Sequence, residues 1–196
     1  MKKLKYFTGE WYADNIIMFE YLQEIDHLPT DKRDMGKNLF GERPRGCKPS
    51  SSKYGTIRSN LWWGKEKSRP YDEKAKGYYT TLRIRKPYLE YIFKEFSNLY
   101  FKDFEWTDVT INYMPCGCAM KPHFDKVNIG DSVLCAFGDF TGGETYIQNK
   151  ENADYSAYDA RDKLLVFNGA ERHHFVSKVV SGTRYSLVFY KQKKNK

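Results

Sequence analysis

The sequence lacks any apolar run long enough to cross a membrane. Its longest apolar runs, such as residues 164–167, fall far short of the about 20 residues that a transmembrane helix requires. It also lacks a secretory segment, because Gly9 and Glu10 interrupt the short apolar stretch that follows the N-terminal lysines. These absences predict a soluble, intracellular protein of the cytoplasm or nucleus, without a membrane partner.

Cysteine is scarce as well. The four cysteines, Cys47, Cys116, Cys118 and Cys135, form no CxxC pair and no framework spacing. Cys116 and Cys118 make a C-x-C, which is a weak signal for metal binding. Free thiols in a reducing compartment are the expectation that fits this usage better.

Aromatic residues, in contrast, are abundant. The chain has 16 Tyr, 13 Phe and 4 Trp among 196 residues, and 40% of its residues are hydrophobic. A disordered chain would lack this content, and the length is that of one domain. We expect a single monomeric domain over 1–196, with a helical and basic part (1–105), a β core (106–190) and a basic tail (191–196).

Positive charge is concentrated ahead of the predicted β core. The chain carries 33 Lys and Arg against 25 Asp and Glu, a net charge of +8. Residues 31–77 alone hold 13 basic and 6 acidic side chains, interleaved with aromatic residues such as Trp62 and Trp63. Cations contact phosphates and rings stack on unpaired bases, so this segment suits DNA as a partner. A solvated loop region whose aromatics pack on the core explains the pattern equally well.

Apolar periodicity predicts helices first and short strands afterwards. Apolar residues recur at helical spacing in two segments, which predicts two helices that pack on a core. The first segment is 15–26, with Ile16 among its core-facing residues, and the second and stronger one is 86–101. Residues 78–84 alternate as a strand does. Six further strands are expected at 108–113, 132–137, 144–148, 163–167, 175–180 and 183–190. Turn formers such as Asn168-Gly169 separate them, and the order indicates an α+β protein with a sandwich or barrel core.

Two histidines and an aspartate in the β half have the pattern of a metal site. His123 and Asp125 are two residues apart and therefore share one face of a strand or of its end. His173 and His174 follow the predicted strand 163–167, and either could complete the set. Two imidazoles and one carboxylate leave three coordination positions open, which suits Fe(II) that must also bind a cosubstrate and dioxygen.

Arg184 lies on a predicted strand that alternates between two faces. Period two over 183–190 places Arg184, Ser186 and Tyr190 on the same face. An arginine that points into a barrel is costly to bury unless it meets an anion. We therefore expect Arg184 to bind a dicarboxylate, with Ser186 adding a hydroxyl donor. An arginine on the solvent face is the alternative.

From residue 106 to 190 these motifs resemble the Fe(II)/2-oxoglutarate dioxygenases, whose fold is a double-stranded β-helix, or jelly roll. The resemblance implies that His123, Asp125 and His174 bind Fe(II), and the ten-residue spacing to Arg184 favours His174 over its neighbour. It also implies that Arg184 and Ser186 hold 2-oxoglutarate, the cosubstrate that is consumed with O2.

Two adjacent residues match different cosubstrate contacts within this superfamily. Tyr113, ten residues before His123, matches a tyrosine of prolyl hydroxylases, and Asn112 matches an asparagine of AlkB-like repair enzymes. Neighbours on a regular strand point to opposite faces, so one of these two carry-overs is expected to fail.

A narrower resemblance is to the TET/JBP dioxygenases, which oxidise the 5-methyl group of methylcytosine or thymine in DNA and include compact phage-encoded members. It is carried by residues 123–132, by Gly-Asp-Phe-Thr-Gly-Gly-Glu at 138–144 and by Arg-Tyr-Ser-Leu-Val-Phe-Tyr at 184–190. The resemblance implies that Asn128 contacts a flipped base and that Tyr190 lines the pocket of that base.

Two alternatives remain open at this point. The same chemistry could act on another substrate, as in AlkB-like N-demethylation of nucleic acid or prolyl and other protein hydroxylation. AlkB-like chains carry asparagine at the place of Ser186, whereas Leu61-Trp-Trp-Gly64 resembles them. The second alternative is a nucleic-acid-binding module that has lost catalysis, against which the intact His, Asp, His and Arg set argues.

Overall fold

The computed structural model describes four stretches of the chain, residues 5–24, 53–58, 88–161 and 163–192, and for 53–58 it describes the backbone. Two helices lie in these stretches, α1 (Trp11–Gln23) and α2 (Tyr88–Tyr100). The strands are β1 (Lys53–Arg58), β2 (Asp108–Pro115), β3 (Met120–His123), β4 (Asn128–Phe137), β5 (Phe140–Gly142), β6 (Thr145–Gln148), β7 (Tyr155–Tyr158), β8 (Leu165–Phe167), β9 (His174–Val176) and β10 (Val179–Gln192).

Two antiparallel sheets build the β half. The larger sheet has the order β1-β2-β10-β4-β8, with β5 paired to β10, and the smaller sheet has the order β3-β9-β6-β7. Strand β10 is central, and its Ser186 lies opposite Asn112 on β2 and Ala136 on β4. These paired sheets, with helices ahead of them in the chain, confirm the predicted α+β jelly roll.

The predicted segments agree with the structure in part. The strand expected at 175–180 is two strands, because the backbone of Ser177 and Lys178 bonds instead to residues 143–144. Residues 53–58 of the basic segment 31–77 pair with β2 as strand β1, which no sequence pattern predicts. The predicted strand 78–84 and the rest of the basic segment lie outside the described residues.

Both helices pack on the outer face of the larger sheet. Of the apolar stripe predicted for α2, Leu89, Ile92, Phe93 and Phe96 are buried and Tyr100 is half-buried. The stripe shares one core cluster with the outward-facing side chains of β10, which are Tyr185, Leu187 and Phe189. Burying a phenylalanine or leucine side chain contributes roughly 1.5–3 kcal/mol, so this stripe is the main attachment of α2 to the sheet.

Helix α1 begins earlier than the sequence predicts and buries another face. It starts at Trp11 rather than at residue 15, and its buried residues are Asp14, Met18, Tyr21 and Leu22. Ile16, which the periodicity assigns to the core, is 63% exposed. The anchoring of Asp14 at the start of the helix sets this rotation.

The Asp14 carboxylate ties α1 to the preceding loop and to α2. It accepts hydrogen bonds from the backbone N–H groups of Thr8 and Gly9, at 2.7 and 3.0 Å, and from the hydroxyls of Thr8 and Tyr100, at 2.9 and 2.6 Å. Burial raises the pKa of this carboxyl, but the four hydrogen bonds outweigh it and leave the pKa below its ordinary value.

Cysteine chemistry departs from the expectation at one position. Cys116 and Cys135 are free, whereas Cys118 is disulfide-bonded, so the expectation of free thiols is wrong for Cys118. Cys47 lies outside the described residues.

Among the described helices, none is long and apolar enough to cross a membrane.

Removing the Tyr100 hydroxyl is expected to destabilise the fold in a pH-dependent way. Tyr100→Phe keeps the ring but deletes one donor to Asp14, and should lower the free energy of unfolding at pH 7 by about 1–2 kcal/mol. The Asp14 pKa is depressed in the folded state, so its stabilisation is complete above the ordinary pKa and is lost as the pH falls through the folded-state pKa. Urea denaturation from about pH 7 down to about pH 2 measures this.

Tyr91→Phe on the same helix is the matched control, since Tyr91 is 49% exposed. It should leave the stability unchanged. A Tyr100→Phe deficit that stays constant under acid conditions would contradict the role of the Asp14 charge.

Candidate metal centre and cosubstrate pocket

Three side chains of the predicted metal set converge where β3 and β9 pair. His123 ends β3 and lies opposite His174 at the start of β9, and Asp125 follows β3 by two residues. Asp125 Oδ1 lies 3.7 Å from His123 Nε2, and Asp125 Oδ2 lies 3.5 Å from His174 Nε2. One ligand atom from each residue lies within 4.8 Å of the others, a spacing that a single metal ion can span.

Both imidazoles are oriented by backbone carbonyl oxygens. His123 Nδ1 lies 2.9 Å from the carbonyl oxygen of Lys121, and His174 Nδ1 lies 2.9 Å from that of Arg172. A carbonyl can only accept, so each neutral ring carries its hydrogen on Nδ1 and donates it there. The lone pair of each Nε2 is thereby directed to the side where Asp125 lies, as in metal-binding histidines.

The two adjacent histidines have different environments. His174 lies in the cavity with the other two ligands, whereas His173 stacks on Phe124 with ring centroids 4.7 Å apart. His173 Nδ1 also lies 2.8 Å from the hydroxyl of Tyr155. Alternation along β9 therefore separates the two rings, and His174 is the one that joins the cluster.

Gly169 belongs to the site, although the sequence pattern predicts only a turn at this position. Its carbonyl oxygen accepts the N–H of Asp125 at 2.8 Å. A Cβ at this position would lie 2.9 Å from Asp125 Oδ2 and 3.3 Å from His174 Cε1, so a side chain would displace the Asp125 carboxylate and make a tight contact with His174. The sequence feature that marks this position is the Asn168-Gly169 pair, a turn signal that lies five residues before His174.

Arg184 is fully buried in the same cavity as the three candidate metal ligands. It is 1% exposed, and its terminal nitrogens contact Thr145 Oγ1 at 3.2 Å and Met114 Sδ at 3.9 Å. Its Nε has no hydrogen-bond partner, and no carboxylate of the described residues forms an ion pair with it. Burial lowers the pKa of Arg184 to about 10, opposed by the charge of Asp159, so the guanidinium stays cationic at neutral pH.

The neighbouring strand β2 supplies Asn112 to the cavity and directs Tyr113 away from it. Asn112 Nδ2 donates to Ser186 Oγ at 3.3 Å, and both residues line the cavity with Arg184. Tyr113 lies on the opposite face, where its ring packs against Tyr185 at a centroid distance of 5.1 Å. Adjacent side chains of a strand point to opposite faces, so Tyr113 cannot contact a ligand in this cavity while Asn112 lines it.

Asn128 and Tyr190, the expected substrate contacts, also line the cavity. Asn128 begins β4 and its amide lies 3.4 Å from Asp125 Oδ2. Tyr190 lies on the same face of β10 as Arg184, and its hydroxyl accepts a hydrogen bond from Thr110 Oγ1 at 3.4 Å. Every predicted site residue except Tyr113 thus faces one cavity between the two sheets.

The residues present fit the cofactors that the sequence resemblance implies. Two imidazoles with directed lone pairs and one carboxylate are a donor set typical of non-haem Fe(II). The buried Arg184, with an unsatisfied N–H, needs an anion, and a dicarboxylate such as 2-oxoglutarate supplies one. The cavity thus brings a candidate metal triad together with a buried guanidinium whose Nε has no hydrogen-bond partner.

Comparisons with known proteins agree with this arrangement. No family model matches the chain. Over 76 residues it is 33% identical to Tet-like dioxygenase 1 of Naegleria gruberi, a match that covers 39% of this chain and 23% of that protein. The chain resembles the TET/JBP-type 2-oxoglutarate dioxygenases. The match spans under a quarter of that relative's length.

Solved structures match over nearly the whole chain. A prolyl-4-hydroxylase of Pseudomonas putida has a TM-score of 0.52 at 9% identity, covering 97% of this chain and 91% of that one. A prolyl hydroxylase of Trichoplax adhaerens, solved with a hypoxia inducible factor peptide fragment, has a TM-score of 0.50 at 15% identity, covering 95% and 80%. At such identities the likeness establishes the shared fold.

Gly169→Ala is expected to weaken metal binding. The added Cβ would lie 2.9 Å from Asp125 Oδ2, so the carboxylate must shift from its position beside the two histidines, and the dissociation constant for Fe(II) should rise by about tenfold or more. Anaerobic isothermal titration measures the affinity. Gly130→Ala controls for destabilisation alone, because its positive φ of 67° strains an alanine there while the added Cβ meets nothing within 4 Å. Unchanged affinity in the Gly169 variant would contradict the steric role.

Proposed function

We propose that this protein is an Fe(II)/2-oxoglutarate-dependent dioxygenase that hydroxylates the 5-methyl group of a pyrimidine in DNA. The observation that carries the chemistry is the shared cavity of His123, Asp125, His174 and the buried Arg184. A metal triad alone occurs in many sites. A triad beside a buried, unpaired cation is what a reaction with a dicarboxylate cosubstrate requires.

Each side chain has a defined task in this proposal. His123, Asp125 and His174 hold Fe(II) through three positions and leave the others for ligands. With 2-oxoglutarate and O2, the bound metal supplies an oxidant for C–H hydroxylation, and succinate and CO2 are released. Arg184 binds the distal carboxylate of the cosubstrate through its guanidinium.

Ser186 is prepared to assist Arg184. Asn112 donates its amide hydrogen to Ser186 Oγ, so the hydroxyl accepts from Asn112 and can direct its own hydrogen towards a carboxylate. The Thr145 hydroxyl, which accepts from Arg184, fixes the guanidinium from the other side. These contacts orient the cation before the cosubstrate arrives, which reduces the cost of binding.

DNA as the substrate is supported by the sequence match and by the mouth of the cavity. Val127 lines the cavity yet is 53% exposed, and the nearby Phe124 and Ile129 are 41% and 48% exposed. Apolar side chains around a polar cavity suit a base that has been extruded from a duplex and its stacked neighbours. Asn128 and Tyr190 are then the residues that contact the extruded base.

A protein hydroxylase is the second candidate. The observation that favours it is the fold likeness to two prolyl hydroxylases, which extends over almost the whole chain. The chemistry of the metal and of Arg184 would be the same, and a peptide would occupy the mouth of the cavity instead of DNA.

An assay of DNA oxidation tests the proposal. The protein is incubated anaerobically with Fe(II), 2-oxoglutarate and DNA containing 5-methylcytosine or thymine, then exposed to O2, and the digested nucleosides are analysed by mass spectrometry. We expect a 5-hydroxymethyl product and stoichiometric succinate. The His123→Ala protein serves as the metal-free control. Succinate formed with peptide substrates but not with either DNA would favour the second candidate.

Substituting Arg184 separates cosubstrate binding from metal binding. Arg184→Lys keeps the charge but loses the planar pair of donors, so the KM for 2-oxoglutarate should rise by about tenfold or more. The affinity for Fe(II) should stay near that of the parent, because Arg184 is not a ligand. Isothermal titration of the metal and steady-state kinetics in 2-oxoglutarate give both values. An unchanged KM would exclude Arg184 from cosubstrate binding.

A further inference from the structure

Asn128 has a second set of contacts that its expected role at a base does not explain. The side chain is 4% exposed at the start of β4, and its backbone N–H donates to the carbonyl oxygen of Asp125 at 2.9 Å. Its Nδ2 lies 3.4 Å from Asp125 Oδ2 and 3.1 Å from Ser132 Oγ. Asn128 is therefore bound to a candidate metal ligand through both backbone and side chain.

The chemistry of these partners fixes the orientation of the amide. An ionised carboxylate has no hydrogen to donate, so the NH2 group rather than the carbonyl of Asn128 must face Asp125 Oδ2. The same nitrogen can donate its second hydrogen to Ser132 Oγ. With both hydrogens directed at these two acceptors, the carbonyl oxygen is the part of the amide that remains for a cavity ligand, and it can only accept.

Asp125 is consequently held from two directions. Its backbone N–H donates to Gly169, and its Oδ2 accepts from Asn128, while its Oδ1 lies 3.7 Å from His123 Nε2. The aspartate side chain has two rotatable bonds. Ser132 Oγ takes the second hydrogen of the Asn128 amide, which leaves the first hydrogen for Asp125 Oδ2. The amide can therefore select one rotamer of the carboxylate.

We infer that Asn128 is a positioning residue for the metal centre: its amide, anchored by Ser132, orients the Asp125 carboxylate towards His123 and His174. This inference rests on the metal site of the proposed function. It adds to that function a reason for the position of Asn128 that is independent of any substrate.

Metal affinity in the absence of DNA tests the inference. Co(II) serves as the probe, titrated into the metal-free protein and followed by its visible absorption and by calorimetry. Partners that orient a metal ligand typically contribute about 10- to 100-fold in affinity. Asn128→Ala should therefore raise the dissociation constant by about 10-fold or more. The Co(II) absorption bands should also shift, because the carboxylate is no longer held in one orientation.

A matched substitution elsewhere controls for the loss of an amide. Asn152 Nδ2 donates to Asp154 Oδ2 at 2.8 Å on the exposed surface, so Asn152→Ala removes the same kind of contact away from the cavity. It should bind Co(II) as the parent does. Circular dichroism and thermal unfolding of the metal-free proteins establish that each variant is folded.

Ser132→Ala keeps the inference testable if a change at Asn128 prevents folding. Deleting this hydroxyl removes the anchor of the amide while leaving Asn128 in place, and should weaken Co(II) binding by a smaller factor of about three to ten. Parent-like affinity in folded Asn128→Ala, or in Ser132→Ala, would overturn the inference. Failure of the parent to bind Co(II) would instead count against the metal centre itself.

Discussion

The register of strand β10 between β2 and β4 is the constraint on which the rest of the structure depends. One face of this strand carries Tyr185, Leu187 and Phe189 into the helix layer, and the other carries Arg184, Ser186 and Tyr190 into the cavity. A slip of one residue would exchange the two faces and place the guanidinium among the phenylalanines of α2. The packing of the helices and the chemistry of the cavity are therefore fixed by the same set of backbone hydrogen bonds.

The cavity places polar groups against an apolar core. The contacts that these groups make with one another reduce the free-energy cost of burying them. Burying an unpaired charge costs several kcal/mol. The Thr145 hydroxyl and the charge of Asp159 offset part of that cost for Arg184. On the metal side, backbone carbonyls hold both histidines, while Gly169 and Asn128 hold the aspartate. The groups that would contact the cofactors are thus oriented by the protein beforehand.

Several features could be predicted from the sequence because they follow from local periodicity. The apolar stripe of α2 and the alternation of β10 need no knowledge of distant residues. Other features depended on contacts far apart in the chain. Ile16 is exposed because Asp14 bonds to Thr8, Gly9 and Tyr100, and strand β1 exists because β2 has an available edge. No periodic pattern carries that information.

The sequence by itself determined the kind of chemistry, since the types and spacings of His123, Asp125, His174 and Arg184 already indicate a metal and a dicarboxylate. The tertiary structure decided which neighbour of each ambiguous pair faces the cavity: His174 rather than His173, and Asn112 rather than Tyr113. It also showed that Gly169 packs against Asp125 and His174, and that the amide of Asn128 is oriented towards Asp125. The reason is geometric. Alternation along a strand shows that adjacent residues face opposite sides of the sheet, but only the partner strands decide which of those sides is the inside.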